Sequence, residues 1–335
     1  MKTTVFVAAL CAVSITGATA ASAQETGFEW EGTAEIGVDS TLSSDDASAE
    51  LTDTYVTISA AFEAALTNRI TAFGGLTFES VSDAVESRQL DDLGLYVSEL
   101  GLRFDLGGAT VSAGKISPVF GVAWDAAPGF YGTSLAEDYE LAEMIGLTAE
   151  TTLASTGGVL SFAVFYADDT GLSNSVGTKR GRNSVAAGGV GNTSKLNNFA
   201  IQYTQEFGAT TGWVGARQLS AGTGDVSDEN SIIAGLAHDF GNGFDTIFEV
   251  AHFSGAGGKD ENATYATLGG AYGLGDWTFS STGTLVDTQS GTDSMIALGV
   301  DRALTESSEI NFGLARFDVD GVKSTSAGLA AVVSF

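Results

Sequence analysis

Apolar and polar residues alternate with a period of two along most of the chain. Phe28, Trp30, Ala34, Ile36 and Val38 are interleaved with Glu29, Glu31, Thr33, Glu35 and Asp39. Such a period sends successive side chains to opposite faces of a strand. The same rhythm sets Val56, Ile58, Ala60 and Phe62 against Tyr55, Thr57, Ser59 and Glu63, then Ile70, Ala72, Leu76 and Phe78 against Thr71, Thr77 and Glu79. Leu100, Leu102 and Phe104 alternate with Glu99, Arg103 and Asp105, and similar segments run from Gly146 to Phe335. Tight turns at Thr67-Asn68, Gly107-Gly108, Gly208–Thr210, Gly241–Gly243, Gly275-Asp276 and Thr305–Ser308 are separated by longer polar connections. About sixteen strands with alternating short and long connections predict an all-β, up-and-down antiparallel transmembrane β-barrel. A soluble sandwich has no reason to alternate its loop lengths in this way. An even strand number would put both termini on the short-turn rim.

One stretch breaks the rhythm. Both prolines of the chain, Pro118 and Pro128, fall between Lys115 and Glu143. Proline has no N–H for a strand ladder, so the chain must leave the sheet here. Trp124, Phe130, Tyr131 and Tyr139 lie in the stretch, together with Asp125, Glu137, Asp138, Glu140 and Glu143. Ser134-Leu135-Ala136-Glu137 matches a capping box and predicts a short helix from Leu135 to about Met144, with Leu141 and Ile145 packed on the wall. Gly121, Gly129 and Gly132 permit tight turns. In order of connections, this is the third long one.

Composition narrows the class. Met1-Lys2, an apolar run from Val5 to Ile15 and Ala21-Ser22-Ala23 predict a signal peptide over residues 1–23, cleaved to leave Gln24 first. The one cysteine of the sequence, Cys11, belongs to that leader, so the barrel at 24–335 has neither disulfides nor thiolate metal sites. The net charge of −28 becomes one unit more negative when Lys2 is removed, which excludes phosphate-backbone binding and hence nucleic acid. Beyond the leader no window is apolar for long enough to form a transmembrane helix. Abundant apolar and aromatic residues, spread evenly, argue against disorder.

The last strand sets Ala327, Leu329, Ala331, Val333 and Phe335 on one face and ends on the aromatic residue. With the leader, the alternating strands and the long third loop, this plan resembles the Gram-negative sixteen-stranded outer-membrane porins of general-diffusion, alphaproteobacterial-like type. The run Gly114-Lys115-Ile116-Ser117-Pro118-Val119-Phe120-Gly121 resembles a G-K-x-x-P-x-F-G pattern of porin-like proteins, phosphate- and siderophore-associated ones included. The resemblance implies a third loop, 118–140, folded into the lumen as a constriction. It also implies passive diffusion of small hydrophilic solutes, contact with outer-membrane lipid and lipopolysaccharide, and a homotrimer.

On that reading Asp125, Glu137, Asp138 and Glu140 face the pore, opposed by Arg103, Lys115, Arg69 and Arg217. For each of the four cations a rim or loop-anchoring salt bridge is an equal alternative. For the acids the alternative is an outward loop, against which Trp124 and Phe130 argue because they would be misplaced on an open surface. Further acids on polar faces, Glu29, Glu35, Glu63 and Glu99, predict cation preference. Enzyme readings find little: His238 and His252 sit near strand ends without a partner set. The Gly188–Gly191 and Gly255–Gly258 runs lack the context of a phosphate cradle. Acidic loops at Ser43–Glu50 and Asp225–Glu229 are candidates for Ca²⁺, but they carry no twelve-residue ligand frame. A substrate-specific channel for a sugar, phosphate or siderophore, and a structural or adhesive barrel presenting Asp168–Asn197, remain as alternatives.

Overall fold

The computed structural model describes residues 27–335, so the expected leader and its cleavage site lie outside the described residues. Sixteen strands form the wall. They are β1 (Phe28–Ser44), β2 (Thr52–Thr67), β3 (Ile70–Ser80), β4 (Leu93–Asp105), β5 (Thr110–Ile116) and β6 (Met144–Thr152). Next come β7 (Val159–Ala167), β8 (Asn198–Phe207), β9 (Thr210–Leu219), β10 (Glu229–Asp239) and β11 (Phe244–Ser254). The chain ends with β12 (Asn262–Leu274), β13 (Trp277–Thr288), β14 (Thr292–Thr305), β15 (Ser308–Val319) and β16 (Val322–Ser334). Each pairs antiparallel with its neighbour in sequence. β1 then closes the ring onto β16, with Ile36 opposite Ala331 and Val38 opposite Leu329. Closure leaves no free sheet edge, which is how a barrel satisfies its backbone N–H and C=O groups.

The alternation read from the sequence becomes two chemically distinct faces. On β15, Ile310, Phe312 and Leu314 are exposed, whereas Gly313 and Ala315, on the alternate phase, are buried. Exposed apolar residues sit opposite one another across strands: Leu298 by Leu314, Phe312 by Leu329, and Phe248 by Leu268. These pairs make a continuous apolar belt, far larger than the patches a soluble monomer exposes. The other face carries the carboxylates and hydroxyls, among them the bonded pairs Glu35 with Tyr55 and Glu79 with Tyr96, together with Asp39.

The wall is interrupted at one place, and the chain repairs it. β5 stops at Ile116, so β4 pairs with it only from Leu100 to Asp105. Above that point Gly94 and Leu95 pair instead with Gly177 and Val176, which belong to the connection 168–197. That connection covers an edge that would otherwise present unpaired backbone groups. Lys115, Glu143, Asp168 and Arg180 meet at the same junction. The Lys115 Nζ lies 2.5 Å from Glu143 and 3.0 Å from Asp168, and Arg180 donates to both oxygens of Glu143.

The helix expected from the capping box does not form. Residues 117–143 hold one turn of α-helix, α1 (Ala123–Ala126), and one 3-10 turn at Glu137–Tyr139. Thr133, rather than Ser134, starts the turn that leads into the second of these: its carbonyl accepts from Ala136 N and Glu137 N, and its hydroxyl bonds the Glu137 carboxylate. The chain turns extended at Glu140 because β6 begins at Met144, paired with Ala167 and Ile116. Strand pairing claims the residues that would have continued a helix. Leu141 is buried, but outside any helix, and Ile145 is a strand residue of β6.

Candidate functional site

The 117–143 segment lies along the polar face of the wall and touches its strands in order. Gly121, in the left-handed region at φ 79°, donates its N–H to Gln202 of β8 at 2.7 Å. The N–H groups of Val122 and Ala123 reach the Glu249 carboxylate of β11 at 2.8 and 3.1 Å. Thr282 of β13 donates to the Pro128 carbonyl at 2.7 Å. The Tyr131 hydroxyl then reaches Asp39 of β1 at 2.5 Å. On the return leg Asp138 accepts from Tyr265 of β12 at 3.1 Å, and Tyr139 donates to Glu249 at 2.6 Å. Arg217 of β9 donates to the Tyr139 carbonyl at 2.6 Å.

The tip is seated by close approach. Gly299, Gly313 and Gly328 are direct neighbours across β14, β15 and β16. A Cβ on Gly313 would lie 2.6 Å from Phe130, and one on Gly328 would lie 2.1 Å from the Phe130 ring. Three glycines in one row leave a flat lane in the wall, and Gly129-Phe130 fills it. Tyr131 then packs on Met295, Ala297, Ala315 and Phe317, which completes a second apolar anchor beside the larger one around Phe120, Tyr139 and Phe253.

Two buried ionic groups hold the larger anchor. Glu249 is 1% exposed, and its two oxygens accept from Val122 N, Ala123 N, the Tyr139 hydroxyl and the Trp213 indole, the last at 2.5 Å. A buried carboxylate is tolerated only when its lone pairs are met in this way. Arg217 is 5% exposed and pairs with Glu229 at 2.8 Å. Its guanidinium also stacks on the rings of Phe120 and Phe253, 4.6 and 5.0 Å from their centroids.

The four loop acids and the four wall cations therefore have different surroundings. Asp125, Glu137, Asp138 and Glu140 are all exposed. Partial burial nonetheless pushes Asp125, Asp138 and Glu140 above the usual carboxylate range, and for Glu140 the charges of Glu137, Asp125 and Glu143 add to the effect. Glu140 is thus close to Glu137, Asp125 and Glu143, whereas the like charge beside Asp138 is that of Asp293 on β14. The cations expected to oppose the loop acids are dispersed. Lys115 and Arg217 are buried in the ion pairs described, Lys115 with Glu143 at the segment's foot and Arg217 with Glu229 at the start of β10, which is the anchoring alternative that the sequence also allowed. Arg103 is bound to Glu63 at 2.5 Å and lies over the Phe73 ring. Arg69 is exposed in the β2–β3 turn and shares with Arg103 a cavity of about 910 Å³, to which Glu99, Asp105 and Glu150 also contribute.

Glu249, Trp213, Gln202 and Asp39 hold the segment, yet none stood out in the sequence. The one available signal was an acid in the middle of Ile247-Phe248-Glu249-Val250-Ala251. His238 and His252 stand apart, each bonded to a threonine of the adjacent strand, Thr210 and Thr264. Among the described residues no three His, Cys, Asp or Glu side chains are grouped as metal ligands.

No protein-family model matches the chain, and no curated protein sequence does. Solved structures match across nearly all of it. An anion-selective porin from Comamonas acidovorans is 13% identical and matches at a TM-score of 0.59, over 93% of this chain and all of the other. A triple mutant of Rh. blastica porin is 15% identical at a TM-score of 0.62, over 92% and 100% of the two chains. Salmonella typhi OmpF, solved with daunomycin, is 13% identical at 0.65, over 92% and 98%. At such identities what is shared is the architecture, and together with the closed ring of strands it identifies the fold of this chain as that of the sixteen-stranded porins.

Proposed function

We propose that the protein is an outer-membrane porin through which small hydrophilic solutes and ions diffuse passively, with a preference for cations. In this reading the apolar belt meets lipid, the polar face encloses a water-filled lumen, and residues 117–143 lie inside it and narrow it. The observation that carries it is the run of contacts from that segment to β8, β11, β13, β15, β16 and β1, which only a segment within the ring reaches from β5. Residues 1–23 direct export, both termini sit on the periplasmic short-turn rim, the long loops meet lipopolysaccharide, and three copies assemble. No catalytic step is required.

The sign of selectivity is this chain's own, since one structural neighbour is an anion-selective porin. Support for cations comes from the exposed acids of the segment, with Arg103, Lys115 and Arg217 each neutralised by a carboxylate partner. A ring of unopposed acids raises the local concentration of cations and repels anions. Purified protein in planar bilayers is expected to give stepwise conductance, with a reversal potential in a KCl gradient that favours K⁺. A reversal potential favouring Cl⁻ would sink the cation preference, and the absence of steps would sink the channel itself.

The same acids give the preference a pH dependence. Asp125, Asp138 and Glu140 have raised pKa values, so as pH falls they take up protons before ordinary carboxylates do. Cation preference should therefore weaken while the pH is still above about 4, the usual carboxylate value. A reversal potential that holds constant down to that pH would contradict the assignment of selectivity to this group.

A further inference from the structure

Resting on the channel reading, we propose that Glu249 sets the aperture. It is a positioning residue that never meets the water of the pore but holds both legs of the segment at one point of the wall. Its carboxylate collects the outgoing leg through Val122 N and Ala123 N and the returning leg through the Tyr139 hydroxyl. The Trp213 indole of β9 fixes the orientation of the same carboxylate from the wall side. No other wall side chain bonds both legs, among the described residues. Gln202 bonds only the outgoing leg and Thr282 and Asp39 only the tip, while Arg217 donates a hydrogen bond to the returning leg alone and touches the outgoing one through the Phe120 ring.

The geometry makes the acceptor count decisive. All four donors point at Glu249, and a carboxylate is the side chain that offers acceptors on both oxygens with no donor of its own. In Glu249→Gln one oxygen becomes an NH₂ group facing N–H donors, so at least one leg loses its partner and meets a repulsive contact instead. The tip keeps its own seat, with Phe130 on the glycine lane and Tyr131 on Asp39. Loosening at Glu249 thus frees the two legs, which carry Asp125, Glu137 and Glu140, while the barrel wall and the tip stay in place.

The test compares the wild type with Glu249→Gln and Tyr139→Phe in planar bilayers, each shown to be a folded barrel by its resistance to SDS before heating. Glu249→Gln is expected to raise single-channel conductance roughly twofold, with noisier open states, since pore width controls conduction. Tyr139→Phe, which removes one of the four bonds, should shift it in the same direction but less. Residues 118–141 are then replaced by a short Gly-Ser turn between β5 and β6, whose ends pair at Ile116 and Met144. In that background Glu249→Gln should change nothing, because the segment it positions is gone. An unchanged conductance in the intact chain overturns the proposal, as does an equal change in the shortened one.

A second readout does not depend on conduction. Ala136, 0% exposed, is replaced by cysteine in the mature chain, which has no other. Its thiol should react slowly with a maleimide in the otherwise unaltered protein and many-fold faster beside Glu249→Gln. Equal rates overturn the positioning role. Absence of conductance steps from the wild type, with the rates still different, would remove the channel reading while the positioning of the segment stood.

Discussion

Replacing the exposed acids of the segment together, as D125N, E137Q, D138N and E140Q, is expected to remove most of the cation preference. The substitutions preserve size, and the Asp138 oxygen that accepts from Tyr265 has an amide oxygen as its substitute. What they delete is four charges at one place. Exposed charges act over a Debye length, about 8 Å at physiological salt, so only acids beside the ion path contribute strongly. Glu29, Glu31 and Glu35 remain on the polar face of β1 and would leave a residual preference. The reversal potential in a KCl gradient measures the difference. If it stays where the unsubstituted protein has it, selectivity resides in the wall acids and the segment has been given the wrong role.

A second large effect is expected at Arg217, through stability. Arg217→Ala would leave Glu229 buried without its cation, take a donor from the Tyr139 carbonyl, and open the space between the Phe120 and Phe253 rings. Breaking one side of a buried ion pair costs about 3–5 kcal/mol, because the remaining charge is stranded. The cost should appear as a lower midpoint in thermal unfolding of the detergent-solubilised barrel. Arg217→Met together with Glu229→Gln removes both charges and keeps most of the volume, so it should be less destabilising than Arg217→Ala. A double substitution as damaging as the single one would show that packing, not charge pairing, dominates at this site.

The strands were legible because their signal is local. Phe312, Leu314 and Gly313 announce their faces by parity alone, and the register between β15 and β16 follows from keeping Phe312 beside Leu329. The departure of the chain near Pro118 was equally legible, since proline cannot join a ladder. The capping box misled because its local preference competed with a non-local one: β6 starts at Met144, and the pairing of that strand outweighs a few turns of helix.

Charge was harder to read. Arg103 and Arg217 give the same local signal, a base on the polar phase of a strand, yet Arg103 is partly exposed beside Glu63 and Arg217 is enclosed by Glu229 and two rings. Glu249 gave less signal than either, although it receives four hydrogen bonds. Most of their partners come from strands and turns far away in the chain; Glu229, on the strand that follows that of Arg217, is the exception.

From its residues alone this chain declares a barrel of about sixteen strands, the parity of its strands, and the point where the third long connection leaves the wall. Those follow from nearest-neighbour physics: a two-residue period, tight turns, and a missing N–H. Where that connection runs, which glycines receive its tip, and which acids remain exposed while their expected cations are buried were decided only by closure of the ring. Closure brings β1 beside β16 and sets Asp39, Gly328 and Gly313 in one row, a proximity that no local pattern encodes.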